Sequence, residues 1–163
     1  MGYGKDKIKF NKFQCEGFYP AVREKVDAYF QEAGISTHAN HRMYRKTAII
    51  LGGFAFSYSL ILSNQFGGWA MLVLALVLGF FTALIGVCIA HDAIHGAYSG
   101  NPKVNHFMGS LFNVVGANDY LWNITHNIAH HTYPNVPDYD GDINQISVLR
   151  MNPNQKLSWF HRY

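Results

Sequence analysis

Between Thr47 and Ala90 the chain reads TAIILGGFAFSYSLILSNQFGGWAMLVLALVLGFFTALIGVCIA, 44 residues without a single Asp, Glu, Lys, Arg or His. A helix crossing the hydrocarbon core of a bilayer needs about 20 apolar residues, so this run is long enough for two. Its midpoint, SNQFGG from Ser63 to Gly68, supplies turn formers. The pattern predicts one helix over about 47–62 and a second over about 69–90, joined as a tight hairpin. Trp69 is expected at the interface, where the ring is apolar and the N–H stays wet. A cleaved signal peptide would start at the N-terminus with a shorter apolar core. A soluble helix pair would carry polar residues at helical period on its outer faces. Neither fits, so the expected class is an all-α integral membrane protein.

Charge sets the expected orientation. Nine Lys or Arg residues precede the run (Lys5, Lys7, Lys9, Lys12, Arg23, Lys25, Arg42, Arg45 and Lys46) and none lies in the hairpin turn. Basic flanks stay on the cytoplasmic side, and a hairpin returns the chain to the side it left. Residues 1–46 and everything after Ala90 are therefore expected in the cytoplasm. The formal net charge of +3 belongs to this topology and to anionic headgroups. No nucleic-acid motif or phosphate-binding glycine loop occurs, and no nucleic-acid partner is expected. Only 14% of residues are charged, well below the roughly 25% of soluble domains.

Within 1–46, Phe18, Val22, Val26, Tyr29 and Phe30 recur at helical spacing. They predict an amphipathic helix over about 20–33, stopping near Gly34, that lies along headgroups or covers the cytoplasmic region. Cys15 and Cys88 stand alone, so neither a disulfide nor a CxxC site is expected.

The chemistry-bearing residues are histidines. His91 and His95, in HDAIH, follow the second apolar segment directly and on a helix share one face. HNIAHH places His126 and His130 on one helical face, with His131 turned about 100° from His130. Five imidazoles in two clusters at ligand spacing, on one side of the membrane, point to a metal centre, and the arrangement can serve two neighbouring ions. Imidazole suits iron, copper, zinc or nickel. Zinc is the weaker choice, because HxxxH here encloses no catalytic Glu of the HExxH kind.

HDAIH followed by HNIAHHTYPN resembles the histidine boxes of the membrane fatty-acid desaturases, most closely the acyl-CoA and front-end branch. The resemblance runs over 47–163. It implies a four-span di-iron desaturase fold, of which 47–163 is a part, with a further span starting near 158–163. It implies that His91 and His95 are first-box iron ligands and that His126, His130 and His131 are second-box ligands. Two non-haem irons, O₂ as co-substrate, and acyl-CoA or a membrane lipid as substrate follow from it. Electrons are expected from a separate ferredoxin or cytochrome, since no HPGG haem motif occurs in residues 1–46. The expected location is a bacterial inner membrane or the endoplasmic reticulum. The family's third box has no counterpart here, so the chain reads as an N-terminal part, expected to bind iron incompletely and not to turn over. A histidine-box hydroxylase and a non-catalytic metal-binding membrane protein are the alternatives.

Several other residues invite roles. Asp92, Asp138, Asp140 and Asp142 are candidates to accept the second ring N–H of the ligand histidines, as metal-bound imidazoles usually require. DYDGDI does not continue as a calcium loop, because Ile143 stands sixth and Leu149 twelfth where Gly and Glu are needed. His38, His41, His106 and His161 lie outside the boxes and are not expected to ligate. Residues 105–122 read as a short interfacial helix, in which Asn118 and Trp122 are candidates to line an acyl channel, with core packing as the alternative.

Overall fold

The computed structural model describes residues 8, 16–136, 139–144, 149–150, 153 and 157–162. The chain divides into two compact units, residues 1–37 and 38–163. The boundary falls nine residues before the expected one at 46/47, because the first turns of the first long helix belong with the second unit. Among the described residues there is no strand.

The first unit contains α1, Phe18–Ala33, which ends at Gly34 as its sequence predicts. It starts two residues ahead of the expected position, since Pro20 is tolerated in a first turn where its missing N–H has no helical partner. No residue of α1 is buried. Phe18, Tyr19, Val22, Val26 and Tyr29 are all exposed.

The second unit opens with α2, His41–Ser63, capped by the Asn40 side chain, which accepts from the Arg42 and Met43 N–H groups at 3.0 and 3.3 Å. This helix begins six residues before the expected Thr47. Absence of charge marks the part of a helix that suits lipid, and Arg42, Arg45 and Lys46 are good helix formers that extend it beyond that part. The turn follows as expected, with Asn64 in the left-handed region at φ 51°. Then α3, Gly68–Ile85, runs without a break through a π-helical stretch, Gly86–Ala90, into α4, His91–Ile94. This continuous helix of 27 residues and α2 with 23 are each long and apolar enough to cross a membrane. Their outer surfaces are apolar and exposed, as at Phe56, Leu72, Leu76 and Phe80. Their serines and Thr82 bond inside the helix: Ser57 Oγ donates to the Gly53 carbonyl at 2.8 Å and Thr82 Oγ1 to the Leu78 carbonyl at 2.8 Å. Such internal pairing is what a lipid environment demands.

The two long helices approach closely at Gly53, where an added Cβ would clash with the edge of the Phe81 ring. Small residues at such crossings let helix backbones meet. The core lies at the end of the hairpin away from its turn and joins Ile50 of α2 with Ile85, Ile89 and Ala93 of the long helix, plus Tyr98 and Met108. The buried Tyr98 hydroxyl donates to Thr47 Oγ1 at 3.1 Å, tying the loop after α4 to the start of α2.

The expected single helix over 105–122 is three short ones: α5 (Pro102–Gly109), α6 (Leu111–Val114) and α7 (Asp119–Trp122). The breaks come where Ser110 ends α5, where the chain turns at Gly116, and where Asn118 starts α7 by accepting the Leu121 N–H at 2.9 Å. A second π-helical stretch, Asn123–His130, continues α7, and α8 (Gly141–Asn144) packs against it. Near 158–163, the expected beginning of another span, the described residues form one 3₁₀ turn, Trp159–Arg162.

Candidate metal centre

The first histidine pair sits at the end of the long helix. His91 Nε2 and His95 Nε2 are 3.3 Å apart and the rings 4.5 Å. The helix ends immediately after them. Gly96 takes φ 74°, its N–H bonds to the Ala93 carbonyl at 2.9 Å, and the Ala97 N–H reaches back to Asp92 at 2.9 Å. That is the paired closure of a Schellman motif, which needs a residue at ease in the left-handed region. Asn105 holds the loop beyond it, donating through Nδ2 to the Gly96 and Ser99 carbonyls at 3.2 and 2.6 Å and accepting the Ser99 N–H at 2.8 Å.

The second cluster departs from the α-helical expectation. Over an α-helix a five-residue step turns about 500°, which leaves His131 about 140° away from His126. In the π-helical stretch the His131 N–H instead bonds to the His126 carbonyl, so the fifth residue lies over the first. All three rings consequently gather: His126 to His130 at 5.0 Å, His126 to His131 at 5.0 Å, and His130 to His131 at 5.3 Å. His126 is the hub. Its Nε2 lies 3.1 Å from His91 Nε2, and its ring is 5.5 Å from that of His95. His131 meets His95 at 4.7 Å.

The segment after this cluster folds back to hold the outward nitrogens. His126 Nδ1 is 2.6 Å from Asp142 Oδ2, and His130 Nδ1 is 2.9 Å from Asp140 Oδ1. Asp140 is wholly buried. Besides His130 it accepts the Asn135 N–H at 2.7 Å and the Asp142 N–H at 3.0 Å. Burial pushes its carboxyl up, but these three donors outweigh that and leave its pKa below the ordinary value. Asn135 adopts φ 62° to aim its N–H inward. Sequence reading passed over it, although Pro134-Asn135 is a turn signal and Asn tolerates the left-handed region. Asp92 lies 3.7 Å from His91 Nδ1, beyond hydrogen-bond range, because its position beside His91 on the helix turns the two side chains apart. Asp138 lies outside the described residues.

The donor set can hold metal. Among the described residues, His91, His95 and His126 form one candidate group, and His126, His130 and Asp142 another. With metal–nitrogen bonds of ~2.1 Å, neighbouring ligands stand about 3.0 Å apart at 90° and about 3.4 Å in a tetrahedron. The observed 3.1 and 3.3 Å Nε2 separations fall in that interval. His91 Nε2 has either one proton or one lone pair, so it can form a full hydrogen bond with only one of its two neighbours, and the other close contact is left for a cation to satisfy. Protonation is resisted: His95 is held below the ordinary pKa by burial and then by His91, His131 and His126. His131 is lowered by desolvation in the cluster and then by His126, His130 and His91.

Trp122, a channel candidate, stacks on buried Phe112 at 4.7 Å and leans on His126 at 5.1 Å. Its buried indole N–H has no partner among the described residues. The Asn118 side-chain oxygen caps α7. His38, His41, His106 and His161 belong to neither metal-capable group.

A family model described as fatty acid desaturase matches residues 67–163. The chain is 36% identical over 157 residues to an sn-1 linoleoyl-lipid 6-desaturase of Arthrospira platensis, covering 96% of this chain and 42% of that protein. It is 34% identical to the enzyme of the same name from Synechocystis sp., covering 97% and 44%. To an acyl-lipid (8-3)-desaturase of Physcomitrium patens it is 33% identical, covering 99% and 34%. The chain thus spans about a third to under a half of the length of these curated relatives. No solved structure matches.

Proposed function

This chain belongs to the fatty acid desaturase family, and from that premise we propose that it provides the N-terminal spans and two of the histidine boxes of an O₂-dependent acyl-lipid desaturase. The observation that carries the reading is the convergence of His91, His95 and His126 through Nε2 at 3.1 and 3.3 Å. In this reading the five box histidines ligate two irons, with the remaining ligands drawn from outside these 163 residues. The chemistry that bound iron supplies is an oxidation, driven by O₂ and two electrons, strong enough to take two hydrogens from an unactivated alkyl chain.

The chain's own residues do the positioning. Asp142 and Asp140 keep the Nδ1 protons of His126 and His130, which fixes the tautomer and leaves each Nε2 as a donor to metal. Trp122, backed by Phe112, covers one side of His126 and shields it from water. The hairpin anchors the cluster at the bilayer surface, within reach of a lipid tail, in a four-span fold whose boxes face the cytoplasm. The substrate is an acyl chain carried on a membrane lipid, a choice supported by the names of the relatives, and electrons arrive from a separate ferredoxin or cytochrome.

The test is a chimera in which this chain replaces the matching segment of the Synechocystis relative, expressed in a host whose membrane fatty acids are then analysed. Polyenes with a new double bond, lost in His91→Ala and His126→Ala versions, support the proposal. Hydroxylated acyl chains, or an iron-loaded chimera that leaves host lipids unchanged, overturn it.

A further inference from the structure

Between α2 and the long helix that α3 begins lies a groove of about 490 Å³ that the metal centre does not use. Its lining changes character along the helix axis. Arg42, Arg45 and Lys46 line one end, while Ile49, Phe80 and Leu84 line the wall beyond them. From Arg42 to Ile50, another lining residue, the helix rises about 12 Å, so the groove passes from charged to hydrocarbon character over roughly the depth of a headgroup region.

No acidic side chain lines this groove, and none of the three cations pairs with a carboxylate among the described residues. All three lie in the first two turns of α2, where no acidic residue stands and where the helix dipole is unfavourable to cations. Arg42 is also three and four residues from Arg45 and Lys46, the spacing at which like charges repel. Ile49 and Phe80 are 61% and 60% exposed, so these two side chains of the apolar wall stand open at the surface, while Leu84 packs against the core. An anion answers the first feature and a hydrocarbon chain the second.

We propose that this groove binds one anionic membrane lipid, its phosphate on Arg42, Arg45 and Lys46 and one acyl chain along Ile49 and Phe80. Arginine forks match phosphate oxygens in two-point contacts, and the cavity falls in the ~300–1,000 Å³ range of small-molecule sites. Inorganic phosphate would engage the cations and leave the apolar wall bare. A zwitterionic lipid would bring its own cation to a cluster that already has three. The site is separate from the reaction proposed above, and its test does not depend on iron or turnover.

The experiment is native mass spectrometry of the 163-residue chain released from detergent, titrated with phosphatidylglycerol, phosphatidylcholine or inorganic phosphate. One phosphatidylglycerol per chain is expected, bound at least tenfold more tightly than phosphatidylcholine and not displaced by equimolar phosphate. R42Q/R45Q/K46Q should lower that affinity at least tenfold. R42K/R45K, which keeps both charges but loses the forked contacts, should weaken binding by less than the triple variant does, and Lys103→Gln, a cation on α5, should leave it unchanged. Ile49→Trp, which keeps every charge but fills the groove, should also weaken binding tenfold, with circular dichroism showing helix content intact. Equal binding of the two lipids, displacement by phosphate, or unchanged affinity in Ile49→Trp would each overturn the proposal.

Discussion

Replacing Asp140 by Asn tests whether the fold-back segment positions the histidines. The side chain is fully buried and accepts from His130 Nδ1, the Asn135 N–H and the Asp142 N–H. Asn has nearly the same shape but only one oxygen. If that oxygen stays on His130 and Asp142, the new NH₂ group meets the Asn135 N–H, donor against donor. If it flips, His130 and Asp142 lose their acceptor together. Either way at least one bond to a charged acceptor disappears, worth about 1.5–3 kcal/mol. The remaining bonds lose their charge assistance, so a destabilisation of roughly 3 kcal/mol is expected. A loosened His130 should also weaken metal binding, by the ~10–100-fold typical when the partner of a ligand histidine is removed. The assay is thermal unfolding by circular dichroism in detergent, paired with chelator competition for ferrous iron. Asp142→Asn, half-buried and with one side-chain hydrogen bond, to His126 at 2.6 Å, and a longer approach of 3.7 Å to His130, should have a smaller effect on stability. Asp92→Asn, partly exposed and 3.7 Å from its histidine, should change metal affinity less than twofold. If Asp140→Asn unfolds and binds metal like the parent, or if Asp92→Asn is the most damaging of the three, the positioning argument fails.

Three further outcomes are expected. The metal-free protein should lose stability as pH falls below 6.5, because an unfolded chain takes up protons there that folded His95 and His131 resist; Asp140 adds a second loss below 3.8, and a melting series from pH 8 to 3 that stays flat would refute both. Gly53→Leu should cost about 1–3 kcal/mol by overpacking against Phe81, and adding Phe81→Ala should recover part of it; destabilisations that simply add would show that the two residues do not meet. Trp122→Phe removes an indole N–H that has no partner among the described residues and should cost under ~1.5 kcal/mol, whereas Trp122→Ala loses the stack on Phe112 and should cost about 3–5 kcal/mol, as read from the same melts.

The parts of this protein legible in its sequence are those that local composition dictates. A run free of charge that is long enough for two spans announces a hairpin, because each apolar residue contributes to partition wherever it lies along the segment. Asn64 marks the turn for a similarly local reason, and the paired boxes are visible as spacing alone. Asp140 and Asp142 could be nominated because ligand histidines need acceptors, but four aspartates were equal candidates on paper. What chose among the three described ones was the path of the chain through Asn135, which brings Asp140 and Asp142 onto the histidines and leaves Asp92 aside.

The gathering of His126, His130 and His131 onto one face was decided by tertiary structure alone. A 3.6-residue period sends His131 away from His126, and only the wider π turn brings it back. Such a turn is rarely favoured by a helix in isolation, so no residue preference announces it. Here α8, the carboxylates of Asp140 and Asp142 and the Phe112–Trp122 stack press on that stretch from outside. Periodicity is a property of neighbours along the chain, whereas this register is held by contacts between segments.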